Sequence, residues 1–157
     1  MRGKQMDAVR LIAATRQALA LSADVADVVT EAWQAQALAV AVGSHLAVSG
    51  PPAVRSEALG LSEVGTRAGG SRHHTAPRAG GLRAAQLSAI DDPRRTLDDL
   101  GALLGEAGVA LVGVAVTAED ETLYWQCMEA IDAADESGDR VTAILRTLSM
   151  RERGSLA

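Results

Sequence analysis

The 157-residue chain contains no phenylalanine, only two tryptophans and one tyrosine, and a single lysine. With so few rings it cannot build a core around large aromatic side chains, and 31 alanines take their place. Alanine is the best helix former and adds little volume, so we expect many close contacts between helices. Cys127 is the only cysteine, which excludes an internal disulfide and a zinc site made of cysteines.

An excess of positive charge is also missing. The formal net charge is −5 at pH 7, whereas a dedicated nucleic-acid binder normally carries a basic surface. Arg10 and Arg16 interrupt the apolar residues near the start, so no apolar signal-peptide core is present. We therefore expect a cytoplasmic protein that consists of one domain, 1–157, without a membrane segment or a cofactor.

Five helices are predicted from the spacing of the apolar residues. Helix A covers 6–21, and Ser22 is the expected N-cap of helix B, with Asp24 in its first turn. Gly50-Pro51-Pro52 ends helix B, and helix C follows over 52–64. Asp92-Pro93 is a typical helix start, a capping side chain followed by proline, and begins helix D, which runs to about 118. Helix E extends from about 120 past 148.

Two segments lack the residues that a packed helix needs. Residues 1–5 form a short lead-in, and 65–83 is rich in glycine and arginine but almost without large apolar side chains, which predicts a mobile loop. Residues 82–90 are expected to form a short helix. Six arginines against two aspartates between 65 and 95 give a local charge of +4, which either contacts an anionic partner or serves solubility.

Helix D is predicted to be the centre of the fold. Its stretch 107–116 has no polar side chain on any face, and such a helix must be covered on all sides. The run 102–118 contains Glu106 and is too short for a convincing membrane span. A buried strand at 109–116 would need a partner strand, and no second β-branched run exists. The fold class is therefore all-α: an up-and-down antiparallel four-helix bundle of A, B, D and E, with short helix C and the Gly-rich loop as a lateral excursion.

Helices D and E are predicted to pair along a heptad seam. The helix E seam consists of Tyr124, Cys127, Ile131, Ala134, Gly138, Val141, Leu145 and Leu148. Small residues occupy its middle, together with Gly101, Gly105 and Gly108 of helix D. They permit close helix packing or, alternatively, leave room for a ligand. Gly138 could also divide helix E in two.

Catalytic chemistry is not favoured by any cluster of residues. Glu129, Asp132, Asp135 and Glu136 could form a metal site of a helical hydrolase, but three of them fall opposite the seam, where a solvated face is expected. A nucleophilic Cys127 would need a base, and His45 is the only helical candidate. Arg67 and His73 match the arginine–histidine spacing of HEPN-type RNases, yet they lie in the expected loop. We predict no catalytic, cofactor-binding or metal-binding residue.

The aromatic residues are the best candidates for a binding site. Trp33 and Trp125 lie in similar contexts, AWQAQ and YWQCM, and each is either covered within the monomer or part of an interface. Tyr124, Trp125 and Cys127 could line a pocket. The leading prediction is a non-enzymatic interaction or regulatory protein with a protein partner or a second copy of itself. The alternatives are a bundle that binds a small molecule and a metal-dependent hydrolase that uses the helix E carboxylates.

Three sequence segments carry a family resemblance. EAWQAQALA, LYWQCMEAIDAADESGDRV and the closing RERG resemble an uncharacterised family of small proteins from streptomycetes and related actinobacteria. The resemblance covers most of the chain outside the Gly-rich loop. It implies a cytoplasmic bacterial protein and no catalytic residues, and it carries no known function.

Overall fold

The computed structural model describes residues 6–70 and 82–156, with side chains described for 6–64 and 82–154. Helices that pack together make up most of this part of the chain. In chain order the elements are β1 (Met6–Asp7), α1 (Ala8–Ala20), α2 (Val25–Ser49), α3 (Arg55–Gly70), β2 (Leu87–Ala89), α4 (Pro93–Thr117) and α5 (Glu121–Leu156). Helices A to E correspond to α1 to α5.

Aspartates cap the first two helices. The N–H of Val9 donates to Asp7 Oδ2 over 3.0 Å at the start of α1. The N–H of Asp27 donates to Asp24 Oδ1 over 2.9 Å, so Asp24 rather than the predicted Ser22 caps α2. The Ser22 hydroxyl donates instead to the carbonyl of Ala18 and helps to end α1. The boundary therefore differs from the prediction by two residues.

Helix α3 belongs to the core and is not a lateral excursion. After the predicted stop at Gly50, a 3-10 turn over Pro52–Val54 leads into α3, which continues beyond the predicted end at 64. It packs against both α2 and α5. One face of α3 is apolar and buried: Ala58, Leu61 and Val64, which continue the buried Val54 of the preceding turn. Five helices rather than four thus contribute to the interior.

The close approach of α2 and α3 depends on Gly43. A β-carbon at this position would lie 2.8 Å from the carbonyl oxygen of Ala58 and 2.8 Å from the nitrogen of Ser62. Both atoms belong to the backbone and cannot rotate away. Only glycine therefore allows the two helices to pack at this distance.

A pair of parallel strands replaces the short helix that was expected over 82–90. Residues Arg83–Gln86 form a 3-10 turn, and β2 then pairs with β1, Met6 with Leu87 and Asp7 with Ala89. The all-α prediction therefore holds for the packed helices but misses these five strand residues. A two-residue strand carries no periodicity that sequence inspection could detect.

Arg83 fixes the start of this segment to the first two helices. Its N–H donates to Gln34 Oε1 over 2.9 Å, and its guanidinium contacts both carboxylate oxygens of Glu31 and the hydroxyl of Thr15. Thr15 is fully buried and Glu31 is largely buried. The contacts place residues 82–89 across α1 and α2, next to β1.

Helices α4 and α5 form an antiparallel hairpin. Asp92 caps α4, with Pro93 as its first residue, as predicted. At the far end of α5, Glu152 forms an ion pair with Arg94 over 2.6 Å. The N–H of Thr122 donates to Asp120 Oδ1 at the start of α5. Helix α5 is continuous through Gly138, so it is not divided there.

Helix α1 lies beside α4 and runs in the same direction. Near their starts, the N–H of Asp91 donates to Asp7 Oδ1 over 3.1 Å. Farther along both helices, the Arg16 guanidinium makes two hydrogen bonds to the Glu106 carboxylate, of 3.0 and 2.6 Å. These bonds raise the pKa of Arg16. The Arg16–Glu106 pair lies on the surface and marks the outer border between the two helices.

The core face of α5 is rotated slightly from the predicted seam. Buried residues are Cys127, Ala133, Ala134, Ser137, Val141, Ile144 and Leu148. Ser137 and Ile144 thus replace the predicted Gly138 and Leu145, which are only half-buried. The reason is that α5 packs against α3 as well as α4, and its buried face is centred between them.

Candidate interaction site

Tyr124 and Trp125, here called the aromatic pair, lie in the second turn of α5. Their ring centroids are 5.1 Å apart and the ring planes meet at 82°, an edge-to-face arrangement. Trp125 is 56% exposed and Tyr124 is 37% exposed. Tyr124 therefore lies at the margin of the seam rather than inside it. Such edge-to-face contacts stabilise a pair of rings and hold the exposed indole in a defined orientation.

Cys127 does not share a face with Trp125. Residues two positions apart on a helix point about 200° apart around its axis, since each residue adds about 100°. Cys127 is accordingly buried in the core, as predicted, while Trp125 faces outward. Burial raises the pKa of the Cys127 thiol and keeps it protonated. The thiol behaves as a small apolar side chain.

His45 is far from Cys127. Gln36 Nε2 donates to Ser137 Oγ over 3.0 Å, which fixes the register between α2 and α5. His45 lies nine residues beyond Gln36, and Cys127 lies ten residues before Ser137. Arg140 of α5 pairs with Glu57 at the start of α3, and α3 begins just after α2 ends, so α2 and α5 run in the same direction. The two residues are therefore separated by roughly 28 Å along the bundle.

Trp33 lies in a different environment from Trp125. It is half-buried in α2, and its indole Nε1 is buried without a hydrogen-bond partner among the described residues. The similar sequence contexts of the two tryptophans thus do not lead to similar exposure. Of the two tryptophans, Trp125 is the exposed one.

The outer face of α4 is a second exposed apolar surface. Val109 and Val116 are 75% and 77% exposed, and Val112 is 47% exposed. This contradicts the prediction that α4 is covered on all sides: α1, α2 and α5 pack against it, and none of the described helices covers the face away from them. We call six residues of this face the α4 stripe: Gly105, Gly108, Val109, Val112, Gly113 and Val116. Sequence reasoning missed it because an apolar helix was equated with a buried one.

The glycines of the predicted seam are not sites of close packing. A β-carbon at Gly101 would make an ordinary contact of 3.6 Å with Val141. At Gly105, Gly108 and Gly138 it would meet nothing within 4 Å in the part of the chain that the structure describes. The tight contacts lie elsewhere, at Gly43 against α3 and at Gly60 against the Arg140 guanidinium.

By length and composition alone, α4 could also cross a membrane. Its most apolar 18-residue window has a mean hydropathy of 1.9, and 39% of it is buried against the other helices. The core helix of a globular protein gives the same signal.

The charged residues form no candidate metal site among the described residues, which contain no group of three metal-binding side chains. The acidic residues of α5 are exposed: Glu129, Asp132, Asp135 and Glu136. Arg67 and His73 lie outside the described side chains, as does most of the 65–83 segment. Within the described part, Arg83, Arg94 and Arg95 each form an ion pair with a carboxylate, which neutralises much of the predicted local positive charge.

Comparison with known proteins gives one match. The model of a family described as a family of unknown function, DUF6099, matches residues 6–147. This is consistent with the predicted resemblance to an uncharacterised family. No curated protein and no solved structure matches the chain.

Proposed function

The chain belongs to the DUF6099 family, whose function is unknown, and we propose that it is a non-enzymatic interaction protein that binds another protein through the aromatic pair. The exposure of Trp125 carries this proposal. Tryptophan and tyrosine are enriched among the residues that dominate binding energy at protein interfaces. The proposal needs no bound cofactor.

The position of the pair suits an interface. Trp125 lies within two turns of the 118–120 connection, at the end of the bundle where the α4–α5 hairpin turns. Asp120 caps α5 at its start and holds the first turns in place. A tryptophan on a rigid helix loses little conformational entropy on binding, and its ring can bury a large area.

Two observations argue against the enzymatic alternatives. The pKa of Cys127 is raised by burial, whereas a nucleophilic cysteine requires a lowered one. The α5 carboxylates point into solvent and do not converge with other metal-binding side chains among the described residues. The small-molecule alternative is also disfavoured. Trp125 and Cys127 lie on opposite faces of α5, so they cannot line the same pocket.

Site-specific photo-crosslinking tests the proposal. A photoreactive phenylalanine analogue replaces Trp125 in one variant and Met150 in a control, because Met150 is 59% exposed and lies near the other end of α5. We expect irradiation in cells of the host to give discrete protein adducts at position 125 and none of the same mass at position 150. Identical adduct patterns at both positions, or no adduct at 125, would contradict it.

The partner identified in this way then permits a quantitative test. Trp125→Ser should weaken binding by about 2 kcal/mol or more, which is typical of a tryptophan at the centre of an interface. Met150→Ser should leave the affinity unchanged. Equal affinities for the two variants would show that the aromatic pair does not contribute to binding.

A further inference from the structure

We propose that the α4 stripe is the contact surface of a reversible homodimer, in which α4 of one copy crosses α4 of a second copy in the antiparallel direction. The inference concerns a different surface from the aromatic pair and does not depend on it. Four features of the stripe support it: its lack of charge, its glycines, the order of its residues and its size.

The α4 stripe contains no polar or charged side chain. Between Glu106 and Glu119 the chain contains no charged residue. The three valines are nevertheless exposed on one side of α4, because they recur at the third and seventh positions after Val109. Valine side chains scattered singly on a surface are ordinary, whereas an aligned row on one helix is typical of a contact surface.

The glycines of the stripe are unexplained by packing within one chain. At Gly105, Gly108 and Gly113 a β-carbon would meet no atom of residues 6–64 or 82–154 within 4 Å. Glycine in the interior of a helix nevertheless costs stability relative to alanine. On a helix surface, small residues allow a second helix to approach until the backbones are close. A helix that does not belong to the described part of the chain would therefore explain the open positions.

The order of the residues along the α4 stripe favours α4 of a second copy as the partner helix. A symmetric dimer uses the same surface on both chains, so the surface must be complementary to itself. A two-fold axis that crosses α4 at right angles between Ala110 and Leu111 reverses the order of the stripe. It brings Gly105 level with Val116 of the second copy, Val109 level with Val112, and Gly108 level with Gly113. Each large end residue thus meets a glycine, and every residue of the stripe finds its counterpart within the stripe.

The available area fits a weak dimer. Eleven residues of rise make the stripe about 16 Å long, and a helix is about 10 Å wide. The neighbouring face of α1 extends it across the Arg16–Glu106 pair, since Ala13 and Ala20 are exposed and lie three residues before and four residues after Arg16. This gives a few hundred Å² per copy, below the roughly 800 Å² per partner of standard interfaces. We therefore expect monomers and dimers in exchange at micromolar concentrations.

Sedimentation velocity of the full chain, from about 1 μM to several hundred μM, measures the equilibrium. The expected result is a concentration-dependent shift from monomer to dimer. Val109→Glu should weaken the dimer more than tenfold because it brings two carboxylates near the axis. Val48→Glu is the matched control, since Val48 is 77% exposed on α2, outside the stripe, and it should leave the dimer unchanged.

A second variant tests whether the dimer requires close approach of the two α4 helices or only contact between apolar side chains. A β-carbon at position 113 would meet none of the described residues within 4 Å, so we expect Gly113→Leu to fold normally by circular dichroism. It should nevertheless weaken the dimer, because the larger side chain keeps the two helices apart. A chain that stays monomeric throughout, or a dimer that Val109→Glu and Gly113→Leu leave intact, would overturn the proposal. So would a monomer that instead sediments with neutral phosphatidylcholine vesicles through Val109, which would identify α4 as a lipid-binding face. None of these results would alter the crosslinking at position 125.

Discussion

At the scale of single residues, glycines in helix interiors have two different roles in this protein. A β-carbon at Gly43 would lie 2.8 Å from backbone atoms of α3, whereas one at Gly138, in the middle of α5, would meet none of the described residues within 4 Å. Sequence alone does not distinguish them, because both interrupt apolar helical segments. Their substitutions should therefore have opposite effects.

We predict that Gly43→Ala lowers the free energy of unfolding by about 1–3 kcal/mol, because the added methyl group would force α2 and α3 apart. Gly138→Ala should raise it by about 0.5–1 kcal/mol through helix propensity. Urea unfolding followed by circular dichroism measures both. If Gly43→Ala leaves the free energy of unfolding unchanged, α3 can shift to make room for the methyl group without loss of stability.

Cys127 provides a second test at this scale. Because burial raises its thiol pKa, the group stays protonated in the folded chain at neutral pH. We predict that a disulfide reagent such as DTNB reacts slowly with the folded protein at pH 8 and rapidly in urea, with Cys127→Ser as the blank. Rapid reaction in the native state would place the thiol at the surface.

The same shift has a consequence for stability. The folded-state pKa exceeds the unfolded-state value, so the contribution of Cys127 is fully present below the ordinary thiol pKa. It is lost as the pH rises above that value, because the unfolded chain then releases the proton more easily. Compared with Cys127→Ser, the wild type should therefore lose stability more steeply at alkaline pH.

At the scale of elements, Asp7 connects two helices that start far apart in the sequence. One carboxylate oxygen caps α1 at Val9, and the other accepts the N–H of Asp91 just before α4. Asp7 also belongs to β1, which pairs with β2. The residue thus fixes the relative position of α1 and α4.

We predict that Asp7→Ala destabilises the protein by about 1–2 kcal/mol, since it removes the cap and leaves the Asp91 N–H without its acceptor. Asp7→Asn keeps one acceptor oxygen and should lose about half as much. Thermal unfolding of the two variants beside the wild type measures the difference. If Asp7→Asn and Asp7→Ala destabilise the protein equally, only one of the two hydrogen bonds of Asp7 contributes to stability.

The elements also show which parts of the fold were predictable. The start of α4 at Asp92-Pro93 and the end of α2 at Gly50 follow from local chemistry, and the sequence predicts them correctly. The strand pair was missed because its two partners are short and distant in the chain. The exposure of Val109 depends on where neighbouring helices lie, which helical periodicity does not specify.

The residues of the candidate site were likewise predictable only in part. Cys127 could be assigned to the core because it repeats with other apolar residues every three or four positions. Trp125 could not be assigned, since tryptophan is stable both at a surface and in a core. Only the orientation of α5 between α3 and α4 determines that its indole faces outward.

At the scale of the whole molecule, one hydrophobic cluster contains residues from all five helices. No helix has a core of its own, so none should unfold independently. We predict a single transition in urea. Circular dichroism and the fluorescence of the single-tryptophan variants Trp33→Phe and Trp125→Phe should give the same midpoint, allowing for any change that each substitution itself makes. Separate midpoints would reveal a subdomain.

The strand pair has a consequence for synthesis on the ribosome. Met6 pairs with Leu87, and α1 also needs α4, which begins at Pro93. At about 5–20 residues per second, the N-terminal segment emerges several seconds before the partners that will cover it. Helix α1 must therefore wait with part of its apolar surface open until α4 has been made. Its docking closes a long loop and belongs to the slow, non-local steps of folding.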